Sequence, residues 1–298
     1  MDKFKSNLKL IVQIFFVIIF FSTAHAKKDE KFEDGKYISN YFSGILLLND
    51  NYYNQSNKFF KQLNGLEESH ITYSSKYIYS LINSQKFNEA FYYAKKLEKK
   101  KLTNFESDLI LGVYYLKNKN YDLAQKYFLK LKNRKSNIII NNFISNSLLN
   151  WSSFNNLDFN SSQNKVKSID KKFENLKKIQ NAFLHCFYKS KKTEFFFKEL
   201  NSNEKIDFSR YNYFYAIYLA NEGKIEEPNK IINSSLKSFP RNLLLSQYKI
   251  DLKNKNHDND FDCRNQSHVS AEILYITANA LSTQSFYLFS NFYLNLAK

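Results

Sequence analysis

A chain of 298 residues with 43% hydrophobic and 17% aromatic residues can bury a sizeable core, and its 5 Gly and 2 Pro argue against a turn-rich β fold. The composition predicts an all-helical protein. Lys carries most of the +16 net charge, and the only arginines are Arg134, Arg210, Arg241 and Arg264. Base readout and bidentate phosphate contacts favour Arg, so this balance suits solvated helix faces and argues against nucleic-acid binding.

Residues 1–26 have the pattern of a secretory signal peptide. Three lysines precede an apolar run at 10–21, and Ala24-His25-Ala26 supplies a cleavage site of the small-x-small type. An uncleaved membrane anchor is the alternative, although the run is short for a membrane span. We therefore expect an exported protein of the periplasm or cell envelope, whose mature chain begins near Lys27 with a short polar leader at 27–35.

A pattern of apolar and small residues then recurs three times at a spacing of 34 residues. A period in this range marks structural units that bury their apolar faces against their neighbours. The recurring sets are Gly44, Ile78 and Gly112; Leu47, Leu81 and Tyr115; Tyr53, Phe87 and Tyr121; Ser56, Ala90 and Ala124; Phe60, Ala94 and Phe128; and Leu63, Leu97 and Leu131.

These residues resemble the tetratricopeptide repeat, a helix-turn-helix unit, and the best copy is Leu111, Gly112, Tyr115, Tyr121, Ala124 and Phe128. The resemblance implies an all-α protein, a right-handed α-solenoid of such repeats over 36–298. It also implies that small residues such as Gly112 and Ala124 lie where the two helices of a unit cross. The clear units are predicted at 37–70, 71–104, 105–138 and 209–242, and degenerate units at 139–205 and 243–298.

The first two units predict helices at 36–48, 52–64, 71–84 and 88–99. Gly65 should end the second of these in the left-handed conformation. The third unit opens with Thr103-x-x-Glu106, the pattern of a capping box. Farther along, 138–151 and 173–188 are apolar at helical spacing, whereas 152–164 shows no clean second helix, and Trp151 should fill the core.

The repeat register returns at Ser209, with Pro228 in the first turn of a helix, where its missing N–H costs little. A helix at 243–252, a polar loop at 253–266 and two helices at 269–281 and 286–297 should follow. The last helix is apolar to its end. We therefore expect that a partner covers its face or that the chain is a fragment of a longer array.

The polar loop holds the one cluster of metal-type ligands. Asp258, Asp260 and Asp262 alternate as in a calcium loop, but Cys263 and Val269 stand where Gly and Glu are needed. Zinc would need a second paired set of Cys or His. A solvated acidic loop is favoured, and we expect no metal or cofactor.

Cys186 follows the pattern of a buried small hydrophobe. An exported location permits a disulfide between Cys186 and Cys263, although spacing alone cannot show that the two Cα atoms come close enough. The sequence lacks a phosphate-binding glycine loop, a G-x-S-x-G elbow and an H-E-x-x-H helix. We therefore expect a protein that is not an enzyme.

The resemblance places a concave groove on the first helix of each unit, apolar with a fringe of Tyr and Asn. Several of these side chains could instead pack against the neighbouring first helix. The groove residues are Tyr41, Ile45, Leu48 and Asn49 in the first unit; Ser75, Tyr79, Ile82 and Asn83 in the second; Leu109, Val113, Leu116 and Lys117 in the third; and Tyr213, Ile217 and Asn221 near the end.

The sequence thus favours an exported, non-enzymatic scaffold that binds a protein or peptide segment in its groove within an envelope assembly. The alternative is an envelope structural protein whose basic convex face, with Lys95, Lys96 and Lys99, contacts anionic lipid or cell-wall polymer. Salt separates the two, because contact through Lys weakens as screening increases whereas apolar binding does not. The partner's identity and the oligomeric state are open.

Overall fold

The computed structural model describes residues 35–134, 136, 138–201, 208–224, 226–254 and 261–298. In these residues the chain is all α, with fifteen α-helices, three short 3₁₀ helices and no strand. The prediction of an all-helical protein is therefore confirmed. The predicted signal peptide, and the polar leader up to residue 34, lie outside the described residues.

The nine helices whose limits the sequence predicted all begin and end within three residues of those limits. The helices are α1 Gly35–Asn49, α2 Tyr53–Lys61, α3 Tyr73–Asn83, α4 Phe87–Lys99, α5 Phe105–Lys117, α6 Tyr121–Asn133, α7 Ile139–Ser153, α8 Phe159–Lys167, α9 Glu174–Phe187, α10 Thr193–Asn201, α11 Ser209–Asn221, α12 Glu226–Ser238, α13 Leu243–Lys253, α14 Gln266–Ser282 and α15 Tyr287–Leu296.

The predicted left-handed conformation of Gly65 is confirmed, with a φ of +102°. Its predicted role is not, because α2 already ends at Lys61 and Gly65 directly precedes the 3₁₀ helix Leu66–Glu68. The predicted position of Pro228 is also confirmed. Pro228 lies buried in the first turn of α12, where it removes an N–H that would have no partner within the helix.

The capping box of α5 lies one residue later than predicted. Asn104 is the N-cap: its side chain accepts from the backbone N–H of Ser107, and Ser107 Oγ accepts from the backbone N–H of Asn104, both at 2.8 Å. Thr103 is engaged elsewhere, because its carbonyl and hydroxyl oxygens accept from Arg134. Glu106 accepts hydrogen bonds from α3 and plays no part in the cap.

The stretch at 152–164, which showed no clean helix in the sequence, contains the start of α8. Asp158 caps this helix, since its carboxylate accepts from the backbone N–H of Ser161 at 2.7 Å. A helix with only one turn of apolar spacing cannot be predicted from the sequence pattern. In the folded chain, the Asp158 cap and the burial of Val166 stabilise this short helix.

Most successive helices pack against each other along the chain, and some alternate helices, such as α1 with α3 and α3 with α5, are also in contact. These contacts between neighbouring helices are compatible with a helical repeat protein. The predicted core position of Trp151 is confirmed, since the ring is fully buried and its Nε1 donates to Gln180 Oε1 at 3.1 Å.

The small residues of the repeat lie at helix crossings, as predicted. A Cβ on Gly44 would come within 2.7 Å of the ring of Phe60, and one on Gly112 would overlap the ring of Phe128. The middle unit has Ile78 and Ala94 at the equivalent positions, both fully buried. A large side chain thus occurs once per crossing, on either the first helix or the second.

The last two helices, α14 and α15, form a C-terminal hairpin that packs back onto the first half of the chain. Helix α14 contacts α7, and α15 contacts α3. A disulfide joins Cys186 on α9 to Cys263, just before α14, with the two Cα atoms 5.9 Å apart. Helix α3 therefore covers part of the apolar surface at 287–296, including Phe292, while Tyr287, Phe289 and Leu294 stay exposed. Neither of the two sequence-based expectations for this helix included that contact.

Candidate functional site

The predicted groove residue Tyr79 on α3 is buried beneath the C-terminal hairpin. Its ring meets those of Phe289 and Phe292 edge to face, with centroids 5.4 Å and 4.9 Å away. Its hydroxyl donates to Glu106 Oε1 at 2.5 Å, and burial together with the charge of Glu106 raises the pKa of Tyr79. This part of the predicted groove is occupied by the chain itself.

Two further hydrogen bonds fasten α15 to the same surface. Asn83 Nδ2 donates to the carbonyl of Leu288 at 3.2 Å, and Asn291 Nδ2 donates to the hydroxyl of Tyr53 at 2.7 Å. Asn83 was predicted as a groove residue and Tyr53 only as a repeat position. Polar side chains therefore set the position of α15 against α3 and α2.

Beyond the covered part, a cleft of about 920 Å³ opens between α5, α11 and the C-terminal hairpin. Ligand sites commonly enclose about 300–1,000 Å³. Four predicted groove residues line this cleft: Val113, Leu116, Lys117 and Tyr213. The structure thus brings together residues from the third unit and from the unit near 209–242.

The cleft has apolar walls and a basic rim. Leu116, Phe214 and Leu294 supply apolar surface, while Lys117 and Lys119 are exposed. Among the described residues that line the cleft, Glu272 is the one carboxylate side chain, and it is paired with Arg210. The rim therefore presents a net positive potential to the opening.

The pair formed by Arg210 and Glu272 links α11 to α14 at the side of the cleft. Arg210 Nε donates to Oε1 at 2.8 Å and its Nη2 to Oε2 at 2.7 Å, and the guanidinium lies 3.9 Å from the ring centroid of Tyr275. Burial raises the pKa of Glu272 and outweighs the opposing effect of Arg210. The bidentate geometry locks the two helices at a defined spacing.

The sequence did not identify these residues of the C-terminal hairpin as site residues. Arg210 and Glu272 are 62 positions apart, and the repeat register does not say which surface the last unit will contact. Glu272, the one acidic residue of α14, was the available signal, because a buried carboxylate needs a cationic partner.

The remaining predicted groove residues lie away from the cleft. Tyr41 is half-buried, with its hydroxyl 3.1 Å from Thr72 Oγ1, and Ser75 Oγ donates to Glu106 at 2.8 Å. Leu48, Ile82, Leu109 and Ile217 are buried in the core, Ile45 is half-buried, and Asn49 and Asn221 are exposed.

Residues 255–260, which include Asp258 and Asp260 of the suspected metal loop, lie outside the described residues. In the described remainder, Cys263 is in the disulfide and His268 Nδ1 accepts from the backbone N–H of Asp262 at 2.9 Å. No group of three or more His, Cys, Asp or Glu side chains in the described part of the chain could hold a metal ion.

Two of the three lysines predicted for a basic convex face are paired with carboxylates: Lys95 with Glu98 and Lys96 with Glu67, both at 2.5 Å. The third, Lys99, is exposed. The neighbouring Lys100 also pairs with Glu67, at 2.9 Å. These contacts reduce the net charge that the surface of α4 offers to an anionic polymer.

None of the described helices is both long and apolar enough to cross a bilayer. Comparison of the sequence with protein-family models and with curated proteins gives no match.

Proposed function

We propose that this chain is an exported, non-enzymatic scaffold, a right-handed solenoid of tetratricopeptide-like repeats that binds a protein segment in a cell-envelope assembly. The cleft between α5, α11 and the C-terminal hairpin carries the proposal. It joins predicted groove residues from distant units, among them Leu116 and Tyr213, in one opening of about 920 Å³. The 34-residue register and the contacts between successive and alternate helices support the repeat architecture.

The ligand that fits the cleft is an extended peptide segment with acidic and apolar side chains. Lys117 and Lys119 on the rim complement carboxylates, while the apolar walls take side chains such as Leu or Phe. Tyr213 offers a rigid ring and a polar tip, a combination enriched among residues that dominate binding energy. The paired state of Arg210 keeps it in the wall and leaves recognition of charge to the two lysines.

Export is supported by the signal-like residues 1–26 and by the disulfide between Cys186 and Cys263. Disulfides persist in the periplasm and outside the cell and are rare in the cytosol. The disulfide links α9 to the residues just before α14, and α14 forms one wall of the cleft. An oxidising compartment, in which the bond persists, would therefore also stabilise that wall.

The test is site-specific photo-crosslinking in the native envelope. A benzophenone amino acid at position 213 should capture the partner, while the same group at position 92, where Tyr92 is exposed on α4, should not. Lys117→Glu together with Lys119→Glu should abolish the crosslink, and Lys99→Glu is the matched control on α4. Capture from position 92 but not from 213 would contradict the proposal.

The alternative contact with anionic lipid or polymer has its own measurement. The chain would sediment with phosphatidylglycerol vesicles in low salt and be released as salt increases. The ion pairs of Lys95, Lys96 and Lys100 weigh against this alternative.

A further inference from the structure

Helix α15 occupies the surface of α3 in the manner of a bound amphipathic helix. Phe289 and Phe292, three positions apart, both pack edge to face against the ring of Tyr79. Next to these rings, the carbonyl of Leu288 accepts a hydrogen bond from Asn83 and the side chain of Asn291 donates one to Tyr53. Apolar anchors at spacing three or four on one helix face are the signature of recognition in a groove.

At the C-terminal end of α3, some buried polar atoms lack a hydrogen-bond partner. Asn83 Oδ1 and Ser84 Oγ are buried without a hydrogen-bond partner. A buried polar atom left unpaired costs about 1–3 kcal/mol, so these two atoms weaken the packing of this surface. The crossings of α1 with α2 and of α5 with α6, by contrast, are closed by a glycine under an aromatic ring.

The anchoring of α14 differs from that of α15. Helix α14 is held at its first turn by hydrogen bonds from Gln266 Nε2 to the carbonyl of Trp151 and from Ser267 Oγ to the carbonyl of Leu116. It is also held by the ion pair of Glu272 and by the disulfide just before it. The main contacts of α15 are with α14 and α3, and Asn291 adds one hydrogen bond to Tyr53 on α2. Release of α15 would therefore leave α14 anchored, while it would remove Leu294 and Leu296 from the cleft wall.

We infer that the surface of α3 around Tyr79 and Asn83, with Tyr53, is a helix-binding site whose resident occupant is α15. A partner's amphipathic helix with two aromatic residues three positions apart takes the same place and displaces α15. The exchange exposes Phe292, which is buried, beside Phe286, Tyr287 and Phe289, which are already exposed. This inference rests on the proposed function as a scaffold and adds a second, helical ligand next to the cleft.

The experiment uses the full chain and a fluorescein-labelled peptide of residues 286–298. In the wild-type chain, α15 competes with the peptide for the site. The apparent affinity of the peptide is therefore its intrinsic affinity multiplied by the fraction of molecules in which α15 has left the site. Phe289→Ala with Phe292→Ala should loosen the resident helix and raise the affinity for the wild-type peptide by roughly tenfold or more. Phe286→Ala with Tyr287→Ala, at the exposed N-cap and first position of the same helix, is the matched control and should leave the affinity unchanged.

Addition of Tyr79→Ala to the loosened variant should abolish binding, with folding checked by circular dichroism. Equal peptide affinity in wild type and loosened variant, or binding that survives Tyr79→Ala, would overturn the inference. Hydrogen exchange on the wild-type chain is independent of any folding defect. The amides of α15 should exchange through an opening of lower free energy than those of α14, and equal protection of both helices would also overturn it.

The cleft experiment fails separately. Loss of peptide exchange with crosslinks still formed from position 213 would remove the helix site alone. Absence of crosslinks from 213 would remove the proposed cleft ligand whatever the peptide does.

Discussion

Gly112 on α5 lies directly beneath the ring of Phe128 on α6, and that ring fills the place where a Cβ on Gly112 would be. Gly44 and Phe60 show the same arrangement two repeat units earlier in the chain. In the middle unit the sizes are reversed, with the large Ile78 on the first helix and the small Ala94 on the second. The crossing therefore requires a fixed combined volume of the two side chains and does not require a glycine.

The first prediction exchanges the volumes at this crossing. Gly112→Ile should destabilise the fold by about 1–3 kcal/mol or more through overpacking, and Phe128→Ala by about 3–5 kcal/mol through the cavity it leaves. The double variant should lose at least about 1 kcal/mol less than the sum of the two changes. Urea unfolding of the four proteins measures this coupling.

The matched control is Gly35→Ile, where a Cβ would meet no atom within 4 Å. It should be nearly silent apart from helix propensity. Strictly additive losses at positions 112 and 128 would mean that the two sites do not share a crossing.

The second prediction concerns the ion pair between Arg210 and Glu272. Glu272 is 4% exposed, so Arg210→Met leaves a buried carboxylate unpaired and should cost about 3–5 kcal/mol. Addition of Glu272→Leu should recover a large part of that loss, because two apolar side chains can replace a buried pair at little cost. Thermal melts of both variants decide, and a double variant as unstable as Arg210→Met alone would contradict the prediction.

The third prediction concerns the disulfide, which closes a loop across a sequence separation of 77 residues. Cys186→Ser with Cys263→Ser should lower the free energy of unfolding by about 2–5 kcal/mol. Reduced wild-type protein should melt like the double variant, and dithiothreitol should leave the variant's melting temperature unchanged. Free-thiol titration of the unfolded chain provides the control, since two reactive thiols without reductant would show that the bond is absent.

The periodicity of the sequence was sufficient to predict most of the helices and the crossings of the clear units, but not α8 and α10. Gly112 and Phe128 contact each other within one unit, and such contacts follow from spacing. The contact between Tyr79 and Phe292 joins residues of distant units, and no local pattern encodes it. The exposed Tyr predicted for the groove is therefore buried, because the C-terminal hairpin covers a surface that the repeat register leaves open.

The cleft was predictable in part for the same reason. Val113, Leu116, Lys117 and Tyr213 were expected to face a groove, and all four line the cleft. Its opposite wall, with Glu272 and Leu294, comes from the chain's return to its own first half. The displacement of the capping box from Thr103 to Asn104 is a smaller example, in which Arg134 draws Thr103 into another contact.

The last prediction concerns acid stability and Glu67, which lies buried between α2 and α3. Burial alone would raise its pKa, but hydrogen bonds from Lys96 and Lys100 and from the N–H of Gly65 lower the pKa of Glu67 to about 2. In the unfolded chain the pKa is near 4.5. Between these two values the unfolded state binds more protons, so stability falls as pH falls.

The contribution of Glu67 should therefore be complete above about pH 5 and be lost as pH drops from 4.5 towards 2. Its size is on the order of 3 kcal/mol, at about 1.4 kcal/mol for each tenfold change in proton affinity. Urea unfolding at pH 7, 5, 4 and 3 should show Glu67→Gln losing stability at pH 7 and approaching wild type at pH 3. Glu226→Gln is the control, since that side chain is 81% exposed in its pair with Lys230 and should follow wild type at every pH. If the gap between wild type and Glu67→Gln stayed constant from pH 7 to pH 3, the carboxylate would not be held ionised by Lys96 and Lys100.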